Sequence, residues 1–248
     1  MKLETGKGMG MEQTIVLTES ELQFYSGTGT VHAVSLGGAL DPFTLDHPIR
    51  GKKVFEEALT SVGRRLNRRK GCRVLLPDSL VFAKVLSFDK IPFSLNKRDE
   101  MIKWKMEAFL PGRVGAFNVQ YDISGDSVLV AAMPKSTVLE LEEELALLNA
   151  RCFSLIPESF YYANLFLERE RGGNSVLLTN RSRHFSGLVI QNGRVSFVRF
   201  RKKIEGVSLK QELDMFSEIL GEDMPDRVLL FGEKAEIEAE NMGDRWLQ

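Results

Sequence analysis

The chain has 248 residues, 43 % of them apolar and 27 % charged, with 33 Lys+Arg against 34 Asp+Glu. That length supports one large domain or two medium ones with real cores, and excludes a mini-protein stapled by metal or disulfides. The near-cancelling charge excludes a global basic field for nucleic acid, and no apolar stretch approaches the roughly 18–20 residues of a membrane helix.

The N-terminus, MKLETGKGMGMEQ, carries Glu4 and several glycines where a signal peptide needs an apolar block, so residues 1–13 read as a flexible tail. TIVLT (14–18), LQFYS (22–26) and VHAVSL (31–36) are β-rich runs separated by Glu19-Ser20 and by Gly27-Thr28-Gly29, the pattern of a meander. From Gly51 to Arg69, Val54, Phe55, Ala58, Leu59, Val62 and Leu66 recur at helical spacing, and CRVLLP follows as a strand. Arg64, Arg65, Arg68, Arg69 and Lys70 form the basic end of that helix. They are expected to complement its dipole and cap its last carbonyls, with contact to anionic lipid head groups as the other reading.

LVFAKVLSF (80–88) opens a different pattern: a long strand, a helix over Leu95 to Phe109 with Ser94 as N-cap, and the strands FNVQYDI (117–123) and SVLVAAM (127–133) flanking Ser124-Gly125-Asp126. A Leu/Glu-rich helix over 135–149 follows, with Glu140, Glu142, Glu143 and Glu144 expected on a solvated face. In the first of these helices Trp104 lies two residues from both Ile102 and Met106, off a single narrow stripe. Core packing of Trp104 is the expectation. The other reading is an exposed partner anchor formed by Lys103, Trp104, Phe109 and Arg113.

CFSLIP (152–157) and a helix through Phe160–Arg169 return the chain to the first half, and Arg171-Gly172-Gly173-Asn174 is the candidate linker. The order of three strands, helix and strand then repeats in SVLLTN (175–180), FSGLVIQ (185–191), RVSFVRF (194–200), a helix over 207–220 and RVLLF (227–231). The predicted architecture is α/β, with a first βββαβ half at 14–79 and 151–170 and a second at 171–248. An inserted α+β subdomain at 80–150 lies between them.

No chemistry-bearing motif stands out. Cys72 and Cys152 open apolar strands and read as buried reduced thiols. His32, His47 and His184 show no metal-ligand spacing. Gly51-Lys52 lacks the glycine and the Ser/Thr of a phosphate loop, having Asp46 and Lys53 instead. No catalytic residue and no metal site is assigned.

Ile91-Pro92-Phe93, Glu107 and Leu110-Pro111 in the insert, VLVAAMPKSTV (128–138) and SLIPESFYYANLF (154–166) resemble, in their order, the PilM and GspL family. These are cytoplasmic platform proteins of type IV pilus and type II secretion machines. The resemblance implies the actin-like (RNase H-like) fold with duplicated halves. Actin-like ATPases hold Mg-nucleotide on two turns bearing an acid and glycine and on a Gly-rich adenosine loop. The corresponding positions here are Thr18, Glu19 and Ser20, then Asn180 and Arg181 in a turn expected to be solvated together with Arg183, then Gly232 as the one glycine of Phe231-Gly232-Glu233-Lys234.

The short passage from Phe200 through Gly206 leaves no room for the further subdomain of PilM-like and actin ATPases, a layout that resembles GspL cytoplasmic regions. Those regions precede a membrane helix, so Arg245-Trp246-Leu247-Gln248 is expected to be a cut before one. The implied role is a non-catalytic scaffold without cofactor at the inner face of the bacterial inner membrane. It would recruit the secretion or pilus assembly ATPase and join it to membrane-anchored platform proteins, with no nucleic-acid partner and a homodimer left open. The alternatives are a PilM-type ATPase using ATP and Mg²⁺, and a cytoskeletal filament protein of the same fold.

Overall fold

A computed structural model describes residues 13–26, 29–68, 70–169, 174–204, 208–220 and 227–232. The expected tail (residues 1–12 of it), the linker at 171–173, Gly206, Glu233-Lys234 and the chain end all lie outside these residues.

Alternation of β-branched and aromatic residues with polar ones builds three strands, β1 (Gln13–Leu17), β2 (Glu21–Ser26) and β3 (Gly29–Ser35). Helix α1 (Lys52–Gly63) buries Phe55, Ala58, Leu59 and Val62, one face at helical spacing, and leads into β4 (Gly71–Leu76). The expected helix to Arg69 therefore stops early. Gly63 is a weak helix former, and the chain turns back so that Leu66 is buried. Gln13 then secures the turn, its Oε1 accepting the Asn67 N–H at 2.6 Å and its Nε2 donating to the Asn67 carbonyl at 3.0 Å. Only Arg64 stands at the helix cap, so the dipole reading of the basic run loses its ground for the residues beyond it.

β5 (Phe82–Ser87), α2 (Leu95–Glu107), β6 (Phe117–Ser124), β7 (Ser127–Pro134) and α3 (Lys135–Leu145) make up the insert, followed by a short 3-10 turn, Ala146–Leu148. Ser94 occupies the N-cap position of α2 without a side-chain hydrogen bond. The sheet order is β5-β7-β6. On one face Ile102 and Met106 of α2 pack on Val128, Val130, Ala132 and Phe117. Ser124 pairs with Ser127 across a two-residue turn in which Gly125 takes a φ of 66°.

β8 (Arg151–Pro157) joins the first sheet, giving the order β3-β2-β1-β4-β8, with β1, β4 and β8 parallel. After α4 (Glu158–Arg169) come β9 (Ser175–Asn180), β10 (His184–Gln191), β11 (Arg194–Lys202), α5 (Leu209–Leu220) and β12 (Val228–Gly232). This sheet has the order β11-β10-β9-β12, with β9 and β12 parallel and the hairpins antiparallel. It repeats the order and directions of β3-β2-β1-β4, so the two halves share one topology. Leu209, Leu213 and Phe216 of α5 seal it against Val176, Leu178, Phe185, Val189 and Val228.

By packing, the chain forms two compact units, Met1–Phe82 with Leu86–Glu158 and Ala83–Val85 with Ser159–Gln248. Cys72 is a buried free thiol, while the Cys152 side chain lies outside the described residues. No helix among the described residues is long and apolar enough to cross a membrane.

Candidate functional site

The turn after β1 is built by Thr18. Its N–H donates to the Glu21 carbonyl at 2.9 Å. Its hydroxyl accepts the Glu21 N–H at 2.9 Å and the Ser20 N–H at 3.3 Å. A turn that holds phosphate presents backbone N–H groups to the anion; here the Thr18 hydroxyl takes two of them. Glu19 is buried beside it, and Ser20 is exposed.

The turn after β9 is closed by the Arg181 N–H donating to the His184 carbonyl at 3.1 Å. Asn180 is buried, and Arg181 is only 6 % exposed, which corrects the expectation of a solvated residue. Arg183 is exposed as expected. A guanidinium is not buried without compensation, and Arg181 does have interaction partners, so it belongs to the packed structure. Gly232 is brought against this turn. It pairs in register with Asn180 and has a φ of +103°, with no space for a Cβ.

Two acids that the sequence reading passed over also mark the carboxyl edge of the first sheet. Asp78 and Glu158 follow the ends of β4 and β8 as Glu19 follows β1, and all three are buried. The signal was legible in Pro77-Asp78 and Pro157-Glu158, each a proline-acid step closing a strand. Open α/β sheets bind ligands at this edge. Among the described residues no group of three His, Cys, Asp or Glu is placed to hold a metal ion. The Thr18 turn, with two of its N–H groups taken by the Thr18 hydroxyl and no glycine beside Glu19, does not fit a phosphate of a hydrated Mg-nucleotide.

The partner-anchor candidates are all exposed. Trp104 is 73 % exposed, which overturns core packing: α2 buries Ile102 and Met106, and Trp104 falls on the opposite side with Lys103. Phe109 and Arg113 lie past the helix end, so the four form an exposed edge of the insert. Exposed Phe93 and Leu95 continue that edge before α2 and in its first turn.

A concave site lies elsewhere in the first unit. A cavity of about 430 Å³ is bounded by the second face of the insert sheet, by α3 and by β8. Ala131 and Met133 of β7, with Val138 and Leu145 of α3, supply apolar walls, while Asn118 and Gln120 of β6, Glu142 and Ser154 supply polar points. Alternation along β6 and β7 explains the two faces: Phe117, Val128 and Val130 turn to α2, and Asn118, Gln120, Ala131 and Met133 to the cavity. β6 and β8 are the edge strands of their sheets. α3 is held by the Thr137 hydroxyl donating to the Leu45 carbonyl at 2.8 Å. Glu144 of α3 is buried and ion-paired with Lys52 at 2.9 Å, which corrects its place on a solvated face. That hydrogen bond and the Glu144 charge push the Lys52 ammonium above 10.5.

No family model and no curated protein matches the sequence. Solved structures do. A chain of the "PilM-PilN type IV pilus biogenesis complex" superposes with a TM-score of 0.74 at 14 % identity, covering 97 % of this chain and 88 % of that one. The cytoplasmic domain of EpsL, an inner-membrane component of the type II secretion system of Vibrio cholerae, gives 0.58 at 11 % identity, covering 89 % and 82 %. A Bacteroides thetaiotaomicron protein of actin-like ATPase fold and unknown function gives 0.59 at 13 % identity, covering 93 % and 86 %. The fold of this chain is therefore the actin-like one.

Proposed function

We propose that this actin-like chain is a non-catalytic scaffold of a bacterial inner-membrane platform, of the type IV pilus or type II secretion kind. Its work is docking: it joins membrane-anchored platform proteins on one side and the assembly ATPase on the other, with no nucleotide turnover of its own. The observation that carries the reading is Thr18, whose hydroxyl occupies the N–H groups of the turn that a phosphate would need. The likeness to the PilM-PilN chain and to EpsL supports the setting.

The cavity beside α3 is the docking site for the membrane-anchored partner. Its mixed lining and its two sheet edges suit an extended segment with apolar side chains, which an edge strand can hydrogen-bond. Capture of the cytoplasmic segment of a PilN-type platform protein tests this, with Val138→Trp to fill the cavity. Loss of capture with an unchanged circular-dichroism spectrum supports the site. Undiminished capture by the variant rejects it.

A further inference from the structure

The basic run left without a role by the early end of α1 forms a surface of its own. Residues 58–77 hold Arg64, Arg65, Arg68, Arg69, Lys70 and Arg73 and no Asp or Glu. The formal charge of the whole chain is −1, so the rest of the molecule carries −7. Lys97, Arg98, Lys103 and Lys105 are interleaved with Asp99, Glu100 and Glu107. Residues 171–204 are also basic and free of Asp and Glu, but there Arg181, Arg183, Arg194, Lys202 and Lys203 have interaction partners, Arg199 lies over the Phe216 ring and Arg201 is paired with Glu212. Arg64, Arg65, Arg68 and Lys70 are exposed. Among the described residues none of these four side chains makes an ion pair or a hydrogen bond. They are four unneutralised cations on a loop that Gln13 and Asn67 hold in place.

The topology places this loop. It enters β4 at Gly71, which pairs with Arg151 at the start of β8, while Gln13 begins β1 opposite Cys72. The cations thus stand at the amino edge of the parallel strands, the end of the sheet away from the Thr18 turn. The 3-10 turn Ala146–Leu148 packs on α1 there, the Leu148 backbone lying against Gly63, and leaves Leu147 46 % exposed.

We propose that this edge is a docking surface for an anionic lipid bilayer, with Arg64, Arg65, Arg68 and Lys70 on the head groups and Leu147 at the interface. Clustered Lys and Arg each add to binding at an anionic membrane surface, and an exposed leucine beside them adds apolar contact. A nucleic acid fits less well. Residues 58–77 contain no aromatic side chain for bases to stack on. The inference rests on the charge arrangement and not on the platform reading, so either can fail without the other.

The test is co-sedimentation of the chain with vesicles of phosphatidylcholine alone and of phosphatidylcholine with phosphatidylglycerol, at low and physiological salt. The expected result is binding only to the anionic vesicles, weakened by salt. The triple variant Arg64→Gln/Arg65→Gln/Arg68→Gln should lower it about a hundredfold, on the order of fivefold for each cation. The control Lys90→Gln/Lys97→Gln in the insert should leave it within about twofold. Equal binding to neutral vesicles overturns the proposal, as does no binding to anionic ones or a triple variant that binds like the parent. Binding of single-stranded DNA or polyglutamate without binding of anionic vesicles also overturns it.

Discussion

Gly232 lies against Asn180 so closely that a Cβ on the glycine would collide with the Asn180 carbonyl oxygen, and its φ of +103° belongs to glycine's region of backbone space. The one glycine remaining in the adenosine-loop position is thus required by strand packing, whether or not a nucleotide binds. Gly232→Ala should cost about 2–4 kcal/mol from backbone strain and overlap, read as a lower denaturant midpoint. Unchanged stability would show that Gly232 is kept for another reason.

Gly187 and Phe216 make a second such contact. A Cβ at Gly187 would enter the Phe216 ring, which is fixed edge-on by Phe197 at 5.7 Å between centroids. Gly187→Ala is expected to destabilise by about 1–3 kcal/mol. Phe216→Leu makes room for the added methyl group, so the double variant should be more stable than the two single losses added together predict, by about 1 kcal/mol. Simple additivity would mean that the ring is free to move aside.

Arg201 of β11 and Glu212 of α5 form an ion pair in which the carboxylate is buried. Burial, with Arg199 beside it, holds the Arg201 guanidinium below its usual range. Breaking a buried pair from one side is costlier than removing it whole. Glu212→Ala should therefore lose about 3 kcal/mol, and Arg201→Met/Glu212→Leu clearly less. A double variant worse than the single one would contradict this.

Tyr121 donates a hydrogen bond to Asp99 on α2. Burial, then that hydrogen bond and the Asp99 charge, push its phenol above 10.0. The folded chain thus keeps a proton that the unfolded chain gives up. Stability from this group is full below pH 10.0 and falls as pH rises from there through the folded value. Asp99→Asn should move the phenolate absorbance transition of Tyr121 downward and soften the alkaline loss. No movement would show that the Asp99 contact is not holding the proton.

Trp104, being exposed, is dispensable for folding: Trp104→Ala should change stability by no more than about 0.5 kcal/mol. If partner capture falls with Trp104→Ala and persists with Val138→Trp, the insert edge and not the cavity is the docking site.

Much of the fold was legible because apolar period and turn chemistry agreed. Ser175–Asn180 reads as a strand in the sequence and is one, and the repeat of three strands, helix and strand survives as β3-β2-β1-β4 in the first sheet, to which β8 is added, and β11-β10-β9-β12 in the second. Individual side chains were less legible where tertiary neighbours decided. Glu144 looked solvated among its fellow glutamates but falls four residues before Leu148 and three after Leu141, on the buried stripe, with Lys52 to receive it. Trp104 was expected in the core despite its spacing, yet the buried helix face is filled by Ile102 and Met106. α1 carries a helical pattern to Leu66 but ends at Gly63, a weak helix former, and the distant Gln13 that holds the following turn at Asn67 was not legible. At the candidate turns the missing glycines could be read from sequence, but not the Thr18 hydrogen bonds or the burial of Arg181.

The central claim, a docking scaffold without nucleotide chemistry, is tested most directly by calorimetric titration of the chain with Mg-ATP, with phosphate release followed over hours. The account predicts no saturable heat at concentrations that detect a dissociation constant of about 100 μM, roughly −5.5 kcal/mol, and no released phosphate. Saturable binding with Mg²⁺-dependent release of phosphate would contradict it and make the chain an actin-like ATPase.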